Sequence, residues 1–318
     1  MVGTGPFAVP TFRVLHESYH QVVALVTAPV RTNRGKPIPG SNPMRETAEE
    51  FGVPVYAPED INQPETIGHL LEFQADLMVV CDFGYILSPE ALATAGLGGV
   101  NLHGSLLPKY RGAAPINWAI YHGEEETGVT VIHMTPRVDA GPCIAQVSIP
   151  IGPEETAIDI EDRLREIGAW LIHRAIGSIE AGRIQALPQD ASLASRAPKL
   201  KKTDGLIDWS RTSQQIKNHV RSMVPWPKTY THWQKPDGDS LRIIVGPVEV
   251  ADQQLEGLRF DFEPIVPGTV LVAKQDQLLV ATGSGAVRLT TVQPAGKREM
   301  DVESFLRGYR VEAGERLG

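Results

Sequence analysis

The chain has 318 residues, of which 42% are hydrophobic and 21% charged, as in globular proteins of one large or two ordinary domains. No apolar run approaches the roughly 18–20 residues that span a bilayer, and the first seven residues lack the features of a secretory signal. Cys81 and Cys143 have no metal-ligand spacing, so we expect a reducing, cytoplasmic setting without disulfides and no membrane partner.

The net charge of −8 argues against a general nucleic-acid-binding protein, but the charge is unevenly distributed. Residues 1–195 carry 12 Lys/Arg and 23 Asp/Glu, whereas residues 196–318 carry 18 and 15. This asymmetry is compatible with two unrelated solvated surfaces, or with a phosphate-containing partner that contacts the second part.

The chain opens on Gly3–Phe7, which resembles the turn between a first strand and its helix, although only Met1 and Val2 precede it. A strand normally needs about five residues, so we expect that the first strand is truncated or that the protein begins upstream. The Gly3-x-Gly5 pair also suggests a nicotinamide-dependent enzyme. That alternative is disfavoured, because Ala8 replaces the third glycine and no acidic residue follows at the expected ~20-residue spacing.

In the first 150 residues, short apolar runs alternate with helical patterns. The predicted strands are Val22–Thr27, Val53–Tyr56, Leu77–Cys81, Val100–Leu102, Val129–Met134 and Ile144–Ile149. The predicted helices are Val9–Glu17, Met44–Phe51, Glu65–Leu71, Pro89–Ala95 and Ala114–Tyr121. This alternation predicts an α/β fold with a doubly wound, mostly parallel sheet. Ala157–Glu180 is predicted to be one further helix, which Gly182 would end.

Residues 183–204 are rich in proline and in basic residues, which predicts a linker on the surface. After a helical pattern at Ser213–Met223, short alternating segments follow between turns: Leu241–Val245, Gly268–Val272, Gln277–Ala281 and Ala286–Val292. They predict a small antiparallel β-barrel of the OB type. We therefore expect a catalytic domain at 1–182, a linker at 183–204 and a β-barrel domain at 205–318.

The densest chemical signal begins at Asn101, where an apolar strand ends. Asn101 and His103 have period-2 spacing, so both side chains point to the same face of the strand. A carboxamide and an imidazole there provide hydrogen-bond donors for an oxygen that becomes negative in a transition state. Asp139 follows in a loop between two predicted strands. Beside His103, its carboxylate would support the imidazolium and collect a proton.

The pattern His-x-Ser-Leu-Leu-Pro-x-x-x-Gly from His103 to Gly112, with Asn101 upstream and Asp139-x-Gly downstream, resembles the folate-dependent formyltransferase superfamily. The resemblance implies a Rossmann-like catalytic domain with Asn101, His103 and Asp139 as catalytic residues. It also implies 10-formyltetrahydrofolate as the formyl donor and no metal. The folate-binding residues that it implies are Ser105, Leu106, Leu107, Pro108, Phe83, Gly84, Tyr85 and Ile86.

Members of this superfamily formylate glycinamide ribonucleotide, aminosugar nucleotides or methionyl-tRNA, and some are hydrolases that release formate. Enzymes that act on glycinamide ribonucleotide end after the catalytic domain, so the long region that follows the linker here disfavours that acceptor. An aminosugar nucleotide stays an alternative, because Asn117-Trp118 after Gly112–Pro115 also occurs in that class.

Three segments resemble methionyl-tRNA formyltransferases in particular. Ala28–Pro43 resembles their basic insertion, which implies that Arg31, Arg34 and Lys36 contact tRNA. Arg221–Pro227 and Gln293–Lys297 resemble signatures of their C-terminal domain. The resemblance therefore implies an enzyme that formylates initiator methionyl-tRNA for translation initiation and releases tetrahydrofolate. We expect the enzyme to be a monomer.

Overall fold

The computed structural model describes the chain except for residues 31, 34, 35, 38, 39, 41, 236, 237 and 256–264, and except for the side chains of residues 32, 33, 36, 37 and 255. The chain divides into two compact units. The first comprises Met1–Ile116, Glu126–Ile151 and Asp159–Lys199, and the second comprises Asn117–Glu125, Gly152–Ile158 and Leu200–Gly318. Within the described residues, no helix combines the length and the hydropathy of a membrane span.

The helices are α1 (Val9–Glu17), α2 (Pro43–Phe51), α3 (Pro64–Glu72), α4 (Pro89–Leu92), α5 (Pro115–His122), α6 (Ala157–Glu180), α7 (Ser213–Ser222) and α8 (Val302–Gly308). The first ten strands are β1 (Leu25–Val26), β2 (Thr32–Asn33), β3 (Lys36–Pro37), β4 (Val55–Tyr56), β5 (Met78–Cys81), β6 (Gly99–His103), β7 (Arg111–Gly112), β8 (Glu126–His133), β9 (Cys143–Pro150) and β10 (Arg196–Ala197). The others are β11 (Thr229–Gln234), β12 (Ser240–Val245), β13 (Val248–Val250), β14 (Val270–Lys274), β15 (Gln277–Ala281), β16 (Ala286–Leu289), β17 (Thr291–Pro294), β18 (Met300–Asp301) and β19 (Arg316–Leu317).

The first unit is built on a mixed sheet. β1 pairs in parallel with β4, and β5 pairs in parallel with β6. Val2 forms parallel bridges to both Val26 and Val80, so it joins the two parallel pairs, and its side chain is buried in the core. The predicted α/β fold with a parallel sheet is confirmed for these strands. At the other edge, β8 pairs antiparallel with β6 and β9 antiparallel with β8. A loop without a crossover helix joins β8 to β9, and such a connection leaves only the antiparallel direction.

Local signals fix the start of α2 beside the end of β1. The Asn42 side chain accepts a hydrogen bond from the backbone N–H of Arg45 at 3.0 Å, which caps the helix. The same side chain donates to the carbonyl of Ala28 at 3.0 Å. Pro43 then occupies the first helical turn, and Gly52 ends the helix in the left-handed conformation.

The second unit contains two antiparallel sheets. One has the strand order β18-β17-β12-β11-β19, and the other has β13-β16-β15-β14. The predicted strand Ala286–Val292 is in fact two strands, because the chain passes at Thr290 from the four-stranded to the five-stranded sheet. The antiparallel character is thus confirmed, and the described strands form two sheets. Their shared core includes Trp209, Ile216, Trp233, Ile243, Val280, Val287 and Phe305.

The burial of α6 predicts that two leucines of the first unit contribute very differently to the free energy of unfolding. Leu164 in α6 is 0% exposed, whereas Leu71 in α3 is 54% exposed. We expect Leu164→Ala to lower the free energy of unfolding by about 3–5 kcal/mol, because it removes buried methyl groups and leaves a cavity. Leu71→Ala, the matched control, should cost about 0.5 kcal/mol or less. Urea denaturation measures both values, and equal losses would contradict the described burial of α6.

Candidate active site

The candidate site lies where β5 and β6 end. In open α/β sheets, ligands bind at the carboxyl ends of the parallel strands. Residues 82–87 follow β5, and residues 104–112 follow β6. The turn after Val2 packs against the first of these segments, because the backbone N–H of Thr4 donates to the carbonyl of Asp82 at 3.1 Å. Three chain segments therefore meet at this edge.

The structure brings Asn101, His103 and Asp139 together. Asn101 and His103 lie two residues apart on β6. Asn101 Nδ2 is 3.4 Å from Asp139 Oδ1, and His103 Nδ1 is 3.6 Å from Asp139 Oδ2. The side chains of His103 and Asp139 are only 6% and 13% exposed, so the ion pair is shielded from water when the imidazole is charged.

A backbone carbonyl orients the His103 ring. His103 Nε2 is 2.9 Å from the carbonyl oxygen of Tyr110. A carbonyl oxygen can only accept a hydrogen bond, so Nε2 carries a proton in both charge states of the ring. Nδ1, the nitrogen that faces Asp139, is therefore the one that gains or loses a proton. Tyr110 has a φ of +62°, and this left-handed conformation is uncommon for a residue with a side chain.

The Asp139 carboxylate is anchored by the backbone. Its Oδ2 accepts a hydrogen bond from the N–H of Gly112 at 2.9 Å. Asp139 itself has a φ of +50°, a conformation that aspartate tolerates better than most residues. The contacts of Asp139 to Asn101 and His103 are longer than this backbone bond, so Gly112 is its strongest described partner.

The predicted folate-binding segment after β6 is tightly folded. Ser105 is fully buried, and its hydroxyl donates to the carbonyl of Lys109 at 2.7 Å. Leu107 is also buried, and its N–H donates to the hydroxyl of Thr130 at 3.1 Å. Ser105 and Leu107 thus shape the loop from inside, whereas Leu106 and Pro108 are half-buried. Contact of these four residues with folate stays a prediction.

The predicted folate-binding segment after β5 presents apolar side chains outward. Tyr85 and Ile86 are 46% and 64% exposed, and Phe83 is half-buried with its ring centroid 5.2 Å from that of Tyr85. Asn62 fixes the segment, because its Nδ2 donates to the carbonyl of Ile86 at 2.9 Å and its Oδ1 accepts from the N–H of Ser88 at 2.7 Å. Phe83, Tyr85 and Ile86, together with the exposed Gly84, stay predicted folate contacts.

The predicted tRNA-contacting residues are not placed by the structure. Arg31 and Arg34 lie outside the described residues, and Lys36 is described only through its backbone, in the short antiparallel pair of β2 and β3. Their role stays a prediction. Within the described part of the chain, no three His, Cys, Asp or Glu side chains come together in a way that suits a metal ion.

Three partners of the predicted catalytic residues were not predicted from the sequence. The Tyr110 carbonyl and the Gly112 N–H are backbone groups, which no residue-type pattern marks. The third is Gln189, whose Nε2 donates to the carbonyls of Asp139 at 2.8 Å and Gly141 at 2.7 Å. Gln189 lies in the predicted linker, 50 residues from Asp139 in sequence.

The geometry defines a class of chemistry. The Asn101 amide can donate a hydrogen bond to an oxygen that gains charge, an imidazolium beside it can stabilise that charge, and the adjacent carboxylate can accept a proton from an attacking group. Such groups at the end of a strand in an α/β fold suit the transfer of an acyl group to a nucleophile.

Comparison with known proteins agrees with that class. Residues 1–176 match the formyl transferase family, and residues 199–310 match the formyl transferase C-terminal domain. A methionyl-tRNA formyltransferase of Rhodopirellula baltica is 42% identical, with 100% of this chain and 95% of the relative covered. The methionyl-tRNA formyltransferase of Bacillus subtilis is 37% identical, with 100% and 96% covered. The chain therefore belongs to the formyl transferase family, and within it to the methionyl-tRNA formyltransferases.

Solved structures share the fold at low identity. WlaRD, a sugar 3N-formyl transferase determined in the presence of dTDP and 5-N-formyl-THF, superposes with a TM-score of 0.65 at 18% identity, covering 93% of this chain and 97% of WlaRD. HypX from Aquifex aeolicus in complex with tetrahydrofolic acid gives a TM-score of 0.56 at 18% identity, covering 82% of this chain and 43% of HypX. At these identities the likeness shows the fold alone.

The Tyr110 carbonyl predicts the tautomer of His103. We expect neutral His103 to carry its proton on Nε2, because that nitrogen faces an acceptor 2.9 Å away. Long-range proton–nitrogen correlation spectra of the imidazole, with a His103→Gln variant for assignment, measure this directly. A ring protonated on Nδ1 alone would show that the described orientation is wrong.

Proposed function

We propose that this chain transfers the formyl group of 10-formyltetrahydrofolate to the α-amine of initiator methionyl-tRNA, for translation initiation in the cytoplasm. The observation that carries the proposal is the convergence of Asn101, His103 and Asp139 at the end of β6. It occurs in a chain that matches methionyl-tRNA formyltransferases over its full length.

The reaction begins when the neutral α-amine attacks the formyl carbon and the carbonyl electrons move to the formyl oxygen. Asn101 Nδ2 carries two hydrogens. One of them faces Asp139, and the other can donate a hydrogen bond to the formyl oxygen. Protonated His103 adds positive charge beside it. Donors of this kind each contribute roughly 3–4 kcal/mol to lowering the barrier.

Asp139 then handles the proton. The attacking nitrogen becomes acidic as its bond to carbon forms, and a carboxylate oxygen of Asp139 accepts its proton, directly or through water. The carbon–N10 bond breaks, and N10 of tetrahydrofolate takes up a proton equivalent to the one that the amine lost. The hydrogen bond from Gly112 to Oδ2 keeps the carboxylate in place, while the contact of Oδ1 among the described residues is the long one to Asn101.

A direct assay decides between acceptors. Formyl transfer from 10-formyltetrahydrofolate is measured with methionyl-tRNA, an aminosugar nucleotide and glycinamide ribonucleotide, singly and in competition. We expect transfer to methionyl-tRNA. A preference for the aminosugar nucleotide would replace the proposal with the alternative, a formyltransferase that acts on that class of substrate.

Replacement of either donor should lower turnover without weakening tRNA binding. We expect Asn101→Ala and His103→Ala each to reduce kcat by about 100-fold or more, because the Asn101 hydrogen bond and the His103 charge stabilise the transition state more than the bound substrates. His16→Ala on the exposed part of α1 is the matched control and should keep full activity. A loss confined to KM would contradict the catalytic assignment.

We also propose that the second unit contacts the tRNA through the outward face of β11 and β12. Tyr230 and His232 alternate with buried residues on β11, and Arg242 lies opposite His232 in the register of β12. The Arg242 guanidinium lies 4.1 Å from the centroid of the Tyr230 ring. An aromatic ring beside a cation suits a nucleotide, whose base stacks and whose phosphate pairs with the charge.

The fold of this unit supports the same proposal. We propose that its two sheets curve into an OB-like barrel, the type of domain that often binds nucleic acid. Backbone hydrogen bonds link one sheet to the other: the N–H of Val270 donates to the carbonyl of Glu315, and the N–H of Leu317 donates to the carbonyl of Gly268, both at 2.8 Å.

Arg242→Ala should weaken use of methionyl-tRNA but leave folate use unchanged. We expect a higher KM for the tRNA and a salt dependence of binding reduced by about one unit of slope, because one phosphate contact is lost. Arg288→Ala is the matched control, since Arg288 already pairs with Glu249 at 2.8 Å. An unchanged salt slope for Arg242→Ala would exclude a phosphate contact at this position. The same measurement on Arg34→Ala tests the sequence-based assignment of Ala28–Pro43.

A further inference from the structure

A segment of the predicted linker is built into the first unit. Residues 187–197, here called the strap, run beside the catalytic loops. Leu187 exchanges two backbone hydrogen bonds, at 2.8 and 2.9 Å, with Cys143, the first residue of β9. At its other end, β10 pairs in parallel with β7, which contains Gly112. The strap is therefore fixed at both ends to the elements that carry the site.

Gln189 is the strap residue with the most side-chain contacts to the site. Its Oε1 accepts hydrogen bonds from Nε and Nη2 of Arg111 at 3.1 and 2.7 Å. Its Nε2 donates to the carbonyls of Asp139 and Gly141 at 2.8 and 2.7 Å. The orientation of the amide is unambiguous, because the guanidinium can only donate and the carbonyls can only accept.

The strap also supports the residue that orients His103. Ser195 Oγ accepts a hydrogen bond from the N–H of Tyr110 at 2.9 Å, and the Ser195 carbonyl accepts one from the N–H of Arg111 at 2.9 Å. Tyr110 and Asp139 both have left-handed backbones, with φ of +62° and +50°. Such conformations persist where surrounding contacts over-determine them, and the strap supplies contacts at both positions.

We propose that Gln189 is a positioning residue for formyl transfer, which holds the Asp139 carboxylate against His103 and Gly112 through the backbone of residues 139–141. The inference rests on the proposed function, because it assigns Asp139 to the chemistry. Gln189 does not touch the reacting atoms. Its effect should therefore appear in kcat and in the position of Asp139, because small displacements of a catalytic group can cost as much as about 100-fold in rate.

Gln189→Glu separates positioning from general support of the fold. The new carboxylate keeps an acceptor for Arg111, but it places an oxygen, in place of the NH2 group, against the carbonyls of Asp139 and Gly141. We expect kcat to fall by about 10-fold or more, with the KM for methionyl-tRNA and the Tm close to wild type. Gln185→Glu is the matched control. It introduces the same charge at an exposed residue outside the helices and strands, and it should behave as wild type.

A double-mutant cycle identifies the residue through which Gln189 acts. In an Asp139→Ala background, Gln189→Glu should lower kcat no further, because the group that it positions is gone. An additional loss equal to that in the wild-type background would overturn the proposal. Gln189→Met removes all four hydrogen bonds without adding charge, and it serves as the test if the glutamate variant does not fold.

A structural readout makes the test independent of activity. The Gly112 N–H donates to Asp139 Oδ2, so its hydrogen exchange reports the position of the carboxylate. We expect faster exchange at Gly112 in Gln189→Glu or Gln189→Met and no change in Gln185→Glu. Wild-type exchange and wild-type kcat in a folded Gln189 variant would overturn the inference. A wild-type enzyme that does not formylate methionyl-tRNA would instead overturn the proposed function, and the exchange result would still decide the positioning.

Discussion

The hydrogen bond from the Gly112 N–H to the Asp139 carboxylate, at 2.9 Å, is the contact on which the geometry of the site depends. Asn101 and His103 project from one strand, so their relative positions follow from the pleat of β6. Asp139 comes from a loop and has no such support. Its longer contacts, 3.4 Å to Asn101 and 3.6 Å to His103, are too weak to place it by themselves. The backbone around residues 111–112 therefore decides where Asp139, the proposed proton acceptor, lies.

The direction of β8 explains why Asp139 needs this support. β8 runs antiparallel to β6, so its end at His133 lies opposite Val100, near the beginning of β6. The loop of residues 134–142 must therefore return along β6 to reach His103, about 10 Å away at the rise of a strand. A loop that crosses a sheet face in this way makes few ladder hydrogen bonds. The two hydrogen bonds from Gln189 offset part of that loss and support the left-handed turn at Asp139.

Much of the first unit was predictable, because the sequence patterns that specify its helices and strands are local. α1 and α6 have their predicted bounds, since the helical period is unbroken over each segment. The same-face placement of Asn101 and His103 followed from period 2 alone. The antiparallel direction of β8 and β9 was not predictable, because the apolar pattern of a strand is the same in either direction. The roles of the Tyr110 carbonyl and of Gln189 depend on contacts between distant parts of the chain, and no local pattern encodes them.

The strap also bears on how the chain is divided into functional parts. The family matches end at residue 176 and resume at residue 199, so the strap at 187–197 belongs to neither. A catalytic fragment that stops at residue 182 would retain Asn101, His103 and Asp139. It would lose the acceptor for the Tyr110 N–H, the strand that pairs with β7 and the two hydrogen bonds from Gln189 to the Asp139 loop. These contacts hold the carbonyl that orients His103 and the loop of the proposed proton acceptor, so on the proposed mechanism the catalytic unit extends through the strap even though every residue assigned to the chemistry precedes it.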